Sequence, residues 1–261
     1  MKTIIMAAGV GTRISQRLGD TPKCCARIGD ESLIQRTVRT LKKSGVHDIS
    51  VIVGFKAARV REDIESMGVK TYENPFFDVT NSIASLWFAR RELQTDDDVI
   101  VMNGDLFFEE HLIPHVIKAP QERVVFADPK RTQEADYRLQ YSGGIVREFG
   151  KTLPVARTTG EYVGIAKIGA SFLDTFRNHL EFLIGQQRHG LWWENVLFDL
   201  SERGEPIFVQ EIADVFWAEI DYWEDYQRIM EFLNRGGSGV ADGDVRRAER
   251  AGGRQILRTV K

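Results

Sequence analysis

The sequence predicts an α/β fold: a doubly wound, mostly parallel, Rossmann-like sheet flanked by helices, with a small β insertion on one side. Three observations carry this. Short apolar segments alternate with amphipathic ones through the first part of the chain, the rhythm of right-handed βαβ units. Those apolar segments run continuously rather than in–out, as strands covered on both faces do. Between residues 123 and 168 shorter segments joined by turns replace the pattern, which marks the insertion.

In order, Lys2–Met6 reads as a short buried strand and Ala7–Arg13 as a Gly-containing loop. Ser32–Lys43 is a helix whose apolar stripe is Leu33, Val38 and Leu41; Ser32 with Gln35 resembles a capping box, and Gly45 stops the helix. Asp48–Val53 is a strand, Ala57–Met67 a helix, Val69–Tyr72 a strand, Ser82–Glu92 a helix and Asp98–Asn103 a strand. The insertion holds Arg123–Ala127, Tyr137–Tyr141, Gly144–Phe149 and Glu161–Ile168. Ala170–Leu183 and Trp192–Ser201 read as helices, Ile207–Gln210 and Val215–Ile220 as strands, and Trp223–Leu233 as a final helix. At Arg235–Gly239 the composition shifts to a flexible linker pattern. The expected division is therefore a domain over 1–234 and a basic, Gly-containing tail over 235–261. That tail carries seven Lys/Arg against three Asp/Glu.

Composition bounds the class. A chain of 261 residues with 43% hydrophobic and 28% charged residues can bury a sizeable core without staples. The net charge of −3 gives no reason to expect nucleic acid or an anionic membrane as partner. No apolar run approaches the length of a membrane span. The adjacent Cys24 and Cys25 are neither a disulfide framework nor a CxxC site, and two reduced thiols suit the cytoplasm. His111 and His115 flank Pro114 without an H-E-x-x-H pattern, so no zinc is expected. There is no G-x-S-x-G and hence no support for an esterase triad.

The chemistry begins in Ala7-Ala8-Gly9-Val10-Gly11-Thr12-Arg13. Gly9 and Gly11 let backbone N–H groups approach a phosphate, and Arg13 adds a fork of donors. The P-loop and dinucleotide fingerprints are both absent, and a tight strand-to-helix turn explains the two glycines alone equally well. Lys23, after Thr21-Pro22, adds a second cation suited to a phosphoryl group.

M-A-A-G-V-G-T-R followed by T-P-K resembles the signature of the MobA-like and sugar-phosphate nucleotidyltransferases. The segments Asn74–Leu86, Asn103–Asp105, Glu161–Gly164 and Glu219–Tyr226 narrow the likeness. They resemble LicC-type phosphocholine cytidylyltransferases and the enzymes that activate 2-aminoethyl- or 2-hydroxyethylphosphonate. The likeness covers about residues 1–233. Cys24-Cys25 departs from it, where many relatives have a small residue and Leu, and so does Leu106 after Asp105. It implies a CTP-dependent transfer of CMP to a small phosphate or phosphonate, with CTP and that acceptor as partners. A sugar-1-phosphate nucleotidyltransferase using another nucleotide is the first alternative, and a nucleotide-binding regulatory module without turnover is the second.

Asp105 and Asp221 each follow a predicted strand, and ligands of open sheets bind beyond the carboxyl ends of strands. Two carboxylates beside a triphosphate need a cation between them, and Mg²⁺ suits one or two carboxylates plus phosphates. The expected metal ligands are thus Asp105 and Asp221, although a helix-cap role also fits Asp221. Arg13 and Lys23 are the expected catalytic cations, and Ala7–Arg13, Lys23, Asn81, Ser82 and Asp105 the expected nucleotide contacts. Asn81-Ser82 serves equally as a helix cap, and Gly54-Phe55 could border the base. For the acceptor the expectation is Glu161, Tyr162, Trp193 and Glu194, with Trp192 beside them. Indole faces attract ammonium groups, a hydroxyl fits Glu161 equally, and packing in the core explains the tryptophans as well. Oligomeric state is open.

Overall fold

The computed structural model describes residues 1–15 and 17–237. Residues 238–261 of the expected tail lie outside the described residues. The chain opens with β1 (Lys2–Ala7) and a one-turn helix, α1 (Thr12–Ser15). A short ribbon of β2 (Arg27–Ile28) and β3 (Glu31–Ser32) leads into α2 (Leu33–Lys43). The capping box forms as its sequence suggests: Ser32 Oγ accepts from Gln35 N–H, and Gln35 Oε1 accepts from Ser32 N–H at 2.8 Å. Next come β4 (Asp48–Val53), α3 (Ala57–Ile64), β5 (Lys70–Glu73), α4 (Ser82–Phe88) and β6 (Val99–Asn103).

These strands form the parallel half of a nine-stranded sheet. β1 lies between β4 and β6, and β5 flanks β4. Side chains of β1 and β6 alternate between two cores. Ile4, Val99 and Val101 join the core under α4, while Ile5, Ile100 and Met102 join the one under α2 and α3. Both faces are therefore covered, and this is why these strands read as continuous apolar runs.

The second half follows with β7 (Leu106–Phe108), α5 (Leu112–Lys118), β8 (Arg123–Asp128), β9 (Arg138–Ser142), β10 (Ile145–Gly150) and β11 (Gly160–Ile168). After them run α6 (Leu173–Gly185), α7 (Asn195–Glu202), β12 (Phe208–Glu211), β13 (Trp217–Glu219) and α8 (Trp223–Asn234). The sheet order is β5-β4-β1-β6-β11-β8-β12-β10-β9. From β6 outward the pairing is mixed: β11 runs antiparallel to β6 and β8, and only β12 is parallel to β8. The sheet is thus mixed rather than mostly parallel. Turns replace helical crossovers within the insertion, and short connections suit antiparallel neighbours. No helix among the described residues is long and apolar enough to cross a membrane.

Two further differences matter for the site. The predicted strand at Val215–Ile220 shortens to β13 and leaves the main sheet. It pairs antiparallel with β7, in the register Trp217↔Phe108, Ala218↔Phe107 and Glu219↔Leu106. The predicted helix at Trp192–Ser201 starts only at Asn195, which frees Trp192–Glu194 to shape a loop.

At the top of the sheet β1 and β6 approach closely. Gly104 N–H donates to Met6 O at 2.9 Å, and a Cβ at Gly104 would come within 2.8 Å of that oxygen. Gly104→Ala therefore costs stability by overpacking backbone against backbone, about 1–3 kcal/mol. A urea titration should show the midpoint fall with the slope unchanged.

Candidate active site

One cavity of about 490 Å³ opens where β1 and β6 end. Its floor is the loop from β1: Ala7, Ala8, Gly9, Val10, Gly11 and Arg13 all line it. Thr12 starts α1 within that loop. Gly11 has φ +64°, and a Cβ there would lie 2.6 Å from the Lys23 stem. Glycine thus both permits the left-handed turn and lets Lys23 cross over the loop.

The β7–β13 ribbon brings the two aspartates together. Asp105 directly precedes β7 and Asp221 closely follows β13. Because the strands are antiparallel, those ends coincide, and Ile220 N–H donates to Asp105 O at 3.0 Å. Asp105 follows a main-sheet strand as expected, whereas Asp221 reaches the cavity from a separate ribbon. Lys23 Nζ lies between them, 3.2 Å from Asp105 Oδ2 and in close contact with Asp221 Oδ1. Arg13 Nη1 reaches Asp221 Oδ2 at 3.2 Å.

Glu219 lies against the same pair. Its side chain lines the cavity, and its Oε1 accepts from Asn103 Nδ2 at 3.1 Å. Crowding by protein, then the charges of Asp105 and Asp221, raise its pKa well above the carboxylate range. Burial opposes the charge on Lys23, but Asp105 and Asp221 outweigh it and raise its pKa. Oxygens of Asp136, Glu219 and Asp221 lie within 4.8 Å of one another. That group contains the expected ligand Asp221 but not Asp105, which meets Asp221 through the shared Lys23 ammonium; hard oxygen donors of this kind suit Mg²⁺.

Asn81 and Ser82 stand on the opposite wall with Phe77 and Thr80. Their capping role is present: Asn81 Oδ1 accepts from Ser82 N–H at 2.8 Å. They also tie the wall to the segment before α7. Asn81 N–H donates to His189 O, and Ser82 Oγ accepts from Trp193 N–H at 2.9 Å. Phe55 sits behind the wall, edge-on to Phe77 at 6.1 Å.

The acceptor residues divide. Tyr162 and Glu194 line the cavity, together with Trp192, Tyr137, Asp136 and Lys151. Trp193 is fully buried and does not line it. Its indole N–H donates to Asn103 Oδ1 at 2.8 Å, so it acts through Asn103 on Glu219. Glu161 faces a neighbouring cavity of about 330 Å³ instead. There Arg131 pairs with it at 2.7 Å, and Asp136 N–H donates to its Oε1 at 2.7 Å. Burial raises its pKa to about 6 against the pull of Arg131.

Sequence reasoning missed Glu219, Asn103, Asp136 and Lys151 as cavity residues. For Glu219 a signal existed: it ends β13 only two residues before Asp221, in the same acidic segment. The β9–β10 hairpin sets the other two. Gly150 pairs with Arg138, which brings Lys151 beside Asp136, their charged ends 2.5 Å apart.

Residues 3–233 match the family model described as the MobA-like NTP transferase domain. The CTP:phosphoglutamine cytidylyltransferase of Campylobacter jejuni is 23% identical over 256 residues, covering 88% of this chain and 100% of that protein. The choline-phosphate cytidylyltransferase of Streptococcus pneumoniae is 25% identical, over 89% of this chain and 98% of that one. The 2-aminoethylphosphonate cytidylyltransferase of Lancefieldella rimae is 26% identical, over 81% and 87%. A solved structure of CTP:phosphocholine cytidylyltransferase from S. pneumoniae superposes with a TM-score of 0.72 at 22% identity, over 89% of this chain and 98% of that one.

Burial of Glu194 yields a stability prediction. Burial raises its pKa from the ordinary 4.5 to about 7, so between those values the folded state binds more protons than the unfolded one. Stability is therefore greatest below pH 4.5 with respect to this group. It falls as pH rises to 7, by up to about 3 kcal/mol. Glu194→Gln removes this decline: thermal unfolding in chelator from pH 4.5 to 8 should show the variant gaining on the wild type as pH rises.

Proposed function

The chain belongs to the MobA-like NTP transferase family, and we propose on that premise that it moves CMP from CTP to a small phosphate or phosphonate and releases pyrophosphate. It is a nucleotidyltransferase; the base and the acceptor are the proposal. One observation carries it: Lys23, Asp105, Asp221 and the loop Ala7–Arg13 meet in a single cavity. The relatives' activities on phosphocholine, phosphoglutamine and 2-aminoethylphosphonate support CTP as donor and such an acceptor.

The transfer needs no protein nucleophile. An oxygen on the acceptor's phosphorus attacks the α-phosphorus of CTP in line. A new P–O bond forms, the bond to the bridging oxygen breaks, and pyrophosphate leaves with that electron pair. The backbone N–H groups of Ala8–Gly11 cradle the triphosphate, and Arg13 adds its guanidinium there. Lys23 leaves its aspartates to neutralise charge that grows on the α-phosphate in the transition state. Asp105 and Asp221 would hold Mg²⁺, which when bound supplies charge neutralisation and polarisation of the phosphate. Glu219, held by Asn103, keeps the ribbon end in register with the cavity. Asn81, Ser82 and Phe77 border the cytosine, and Tyr162, Glu194, Trp192 and Lys151 surround the acceptor. Holding both reactants in one orientation supplies much of the rate.

The deciding experiment is a pyrophosphate-release assay with CTP, UTP, dTTP, ATP and GTP. Each is paired with phosphocholine, 2-aminoethylphosphonate, 2-hydroxyethylphosphonate and glucose 1-phosphate. Preference for CTP with a phosphate or phosphonate, abolished by chelator and restored by Mg²⁺, is expected. A preference for glucose 1-phosphate with another nucleotide gives the sugar-phosphate reading instead. In the productive pairing, Asp105→Asn should lower turnover by about 100-fold or more with unchanged circular dichroism. Lys23→Ala should lower turnover by about 100–1,000-fold, the scale of one lost transition-state charge contact; near-wild-type turnover removes Lys23 from the chemistry.

A further inference from the structure

The acceptor wall carries a buried hydroxyl without a protein partner and a resident cation, and both constrain what binds there. Tyr162 is 5% exposed, lines the cavity, and its Oη has no hydrogen-bond partner among the described residues. Its neighbour Tyr137 differs, since Asn195 engages that hydroxyl. A buried hydroxyl left unmatched costs free energy, so a ligand atom that accepts from Tyr162 is favoured. Burial keeps the phenol protonated and able to donate.

Around Tyr162 stand Tyr137 and Trp192, with ring centroids 6.0 Å apart and edge-on. Alone, this aromatic corner would suit an ammonium group. The chain fills that role itself. Lys151 Nζ lies 5.1 Å from the Trp192 ring centre. Lys151 is fixed at both ends: Arg138 Nη1 donates to its carbonyl at 3.0 Å, and Asp136 pairs with its ammonium at 2.5 Å. A ligand cation on the same indole face would meet a like charge. Glu194, 5% exposed, supplies a carboxylate on the same cavity.

A neutral hydroxyl suits this lining, since it accepts from a phenol or an ammonium and donates to a carboxylate. We propose that Lys151 and Tyr162 select an acceptor whose end remote from phosphorus bears an uncharged hydroxyl, and that Lys151 excludes a quaternary ammonium there. The inference rests on the cytidylyl-transfer reading and adds the acceptor class to it.

The test compares kcat/KM for 2-hydroxyethylphosphonate, 2-aminoethylphosphonate and phosphocholine, with CTP and Mg²⁺. The wild type should favour the hydroxyl acceptor over phosphocholine by at least about tenfold. Lys151→Met should shrink that ratio about tenfold or invert it, while Lys151→Arg keeps the wild-type order. Tyr162→Phe should raise KM for the hydroxyl acceptor by a larger factor than KM for phosphocholine. A wild type that prefers phosphocholine overturns the proposal, as does a Lys151→Met variant that loses activity equally with all three acceptors. Either result leaves cytidylyl transfer standing. Pyrophosphate release with none of the three, together with no CTP binding by titration calorimetry, overturns both.

Discussion

The site depends on one electrostatic constraint: three carboxylates, Asp105, Glu219 and Asp221, are held against one another around a single ammonium. Carboxylates this close repel when ionised in a partly desolvated pocket, which pushes the Glu219 pKa up, so the surrounding structure must hold them there. The β7–β13 ribbon does so through backbone pairing that no side-chain motion can relax. Behind it, Phe107, Ala218 and Ile220 are buried with Ile229 of α8 in a separate apolar cluster. That cluster clamps the ribbon onto the body of the protein. Lys23 then lowers the remaining repulsion. The groups that make the pocket costly to fold are thus those the proposed transfer would use.

Much of the fold was legible because the local signals are strong. β1, β4 and β6 stand where continuous apolar runs indicated, and Ser32 and Gln35 cap α2 reciprocally. What was not legible is pairing. β11 reads as one more apolar strand, and nothing in Glu161–Ile168 says that it runs antiparallel between β6 and β8. A strand buried on both faces looks the same in either direction. The excursion of β13 was hidden for a similar reason. Three paired residues give too short a pattern to distinguish a ribbon from an edge strand.

For the site, chemistry-bearing side chains with a fixed backbone context were easier to find than those placed by side-chain geometry. Gly11, Lys23 and Asp105 follow β1 and β6 closely in sequence or in motif, and all line one cavity. Trp193 shows the limit. Its composition suggests an aromatic face for a ligand, yet its position puts the ring at zero exposure and its N–H on Asn103. Trp192 takes the cavity side instead. Which of two adjacent tryptophans faces a ligand depends on where the helix begins, and helix starts are among the less certain features of a sequence. Glu161 was similarly displaced, because Arg131 claims it from a segment too irregular to anticipate.

The two walls of the cavity differ in how freely they can change. The donor wall is continuous with the core: Ile4, Ile5, Val101 and Met102 lie directly beneath the loop and Asp105, all at zero exposure. Substitutions there disturb close packing and cost stability as well as activity. The acceptor wall stands on a hairpin at the sheet edge and on the segment before α7. The contact that shapes it most, Lys151 with Asp136, joins side chains that are 36% and 47% exposed. Exposed ion pairs contribute little to folding, so residues of this kind can be exchanged with small loss to the scaffold. A fold built this way separates a wall it must keep, which the proposed reaction would use to grip a triphosphate, from one it can vary, where the proposed acceptor would bind. The relatives' printed activities differ in the acceptor while sharing cytidylyl transfer, the pattern that such a division of stability costs would produce.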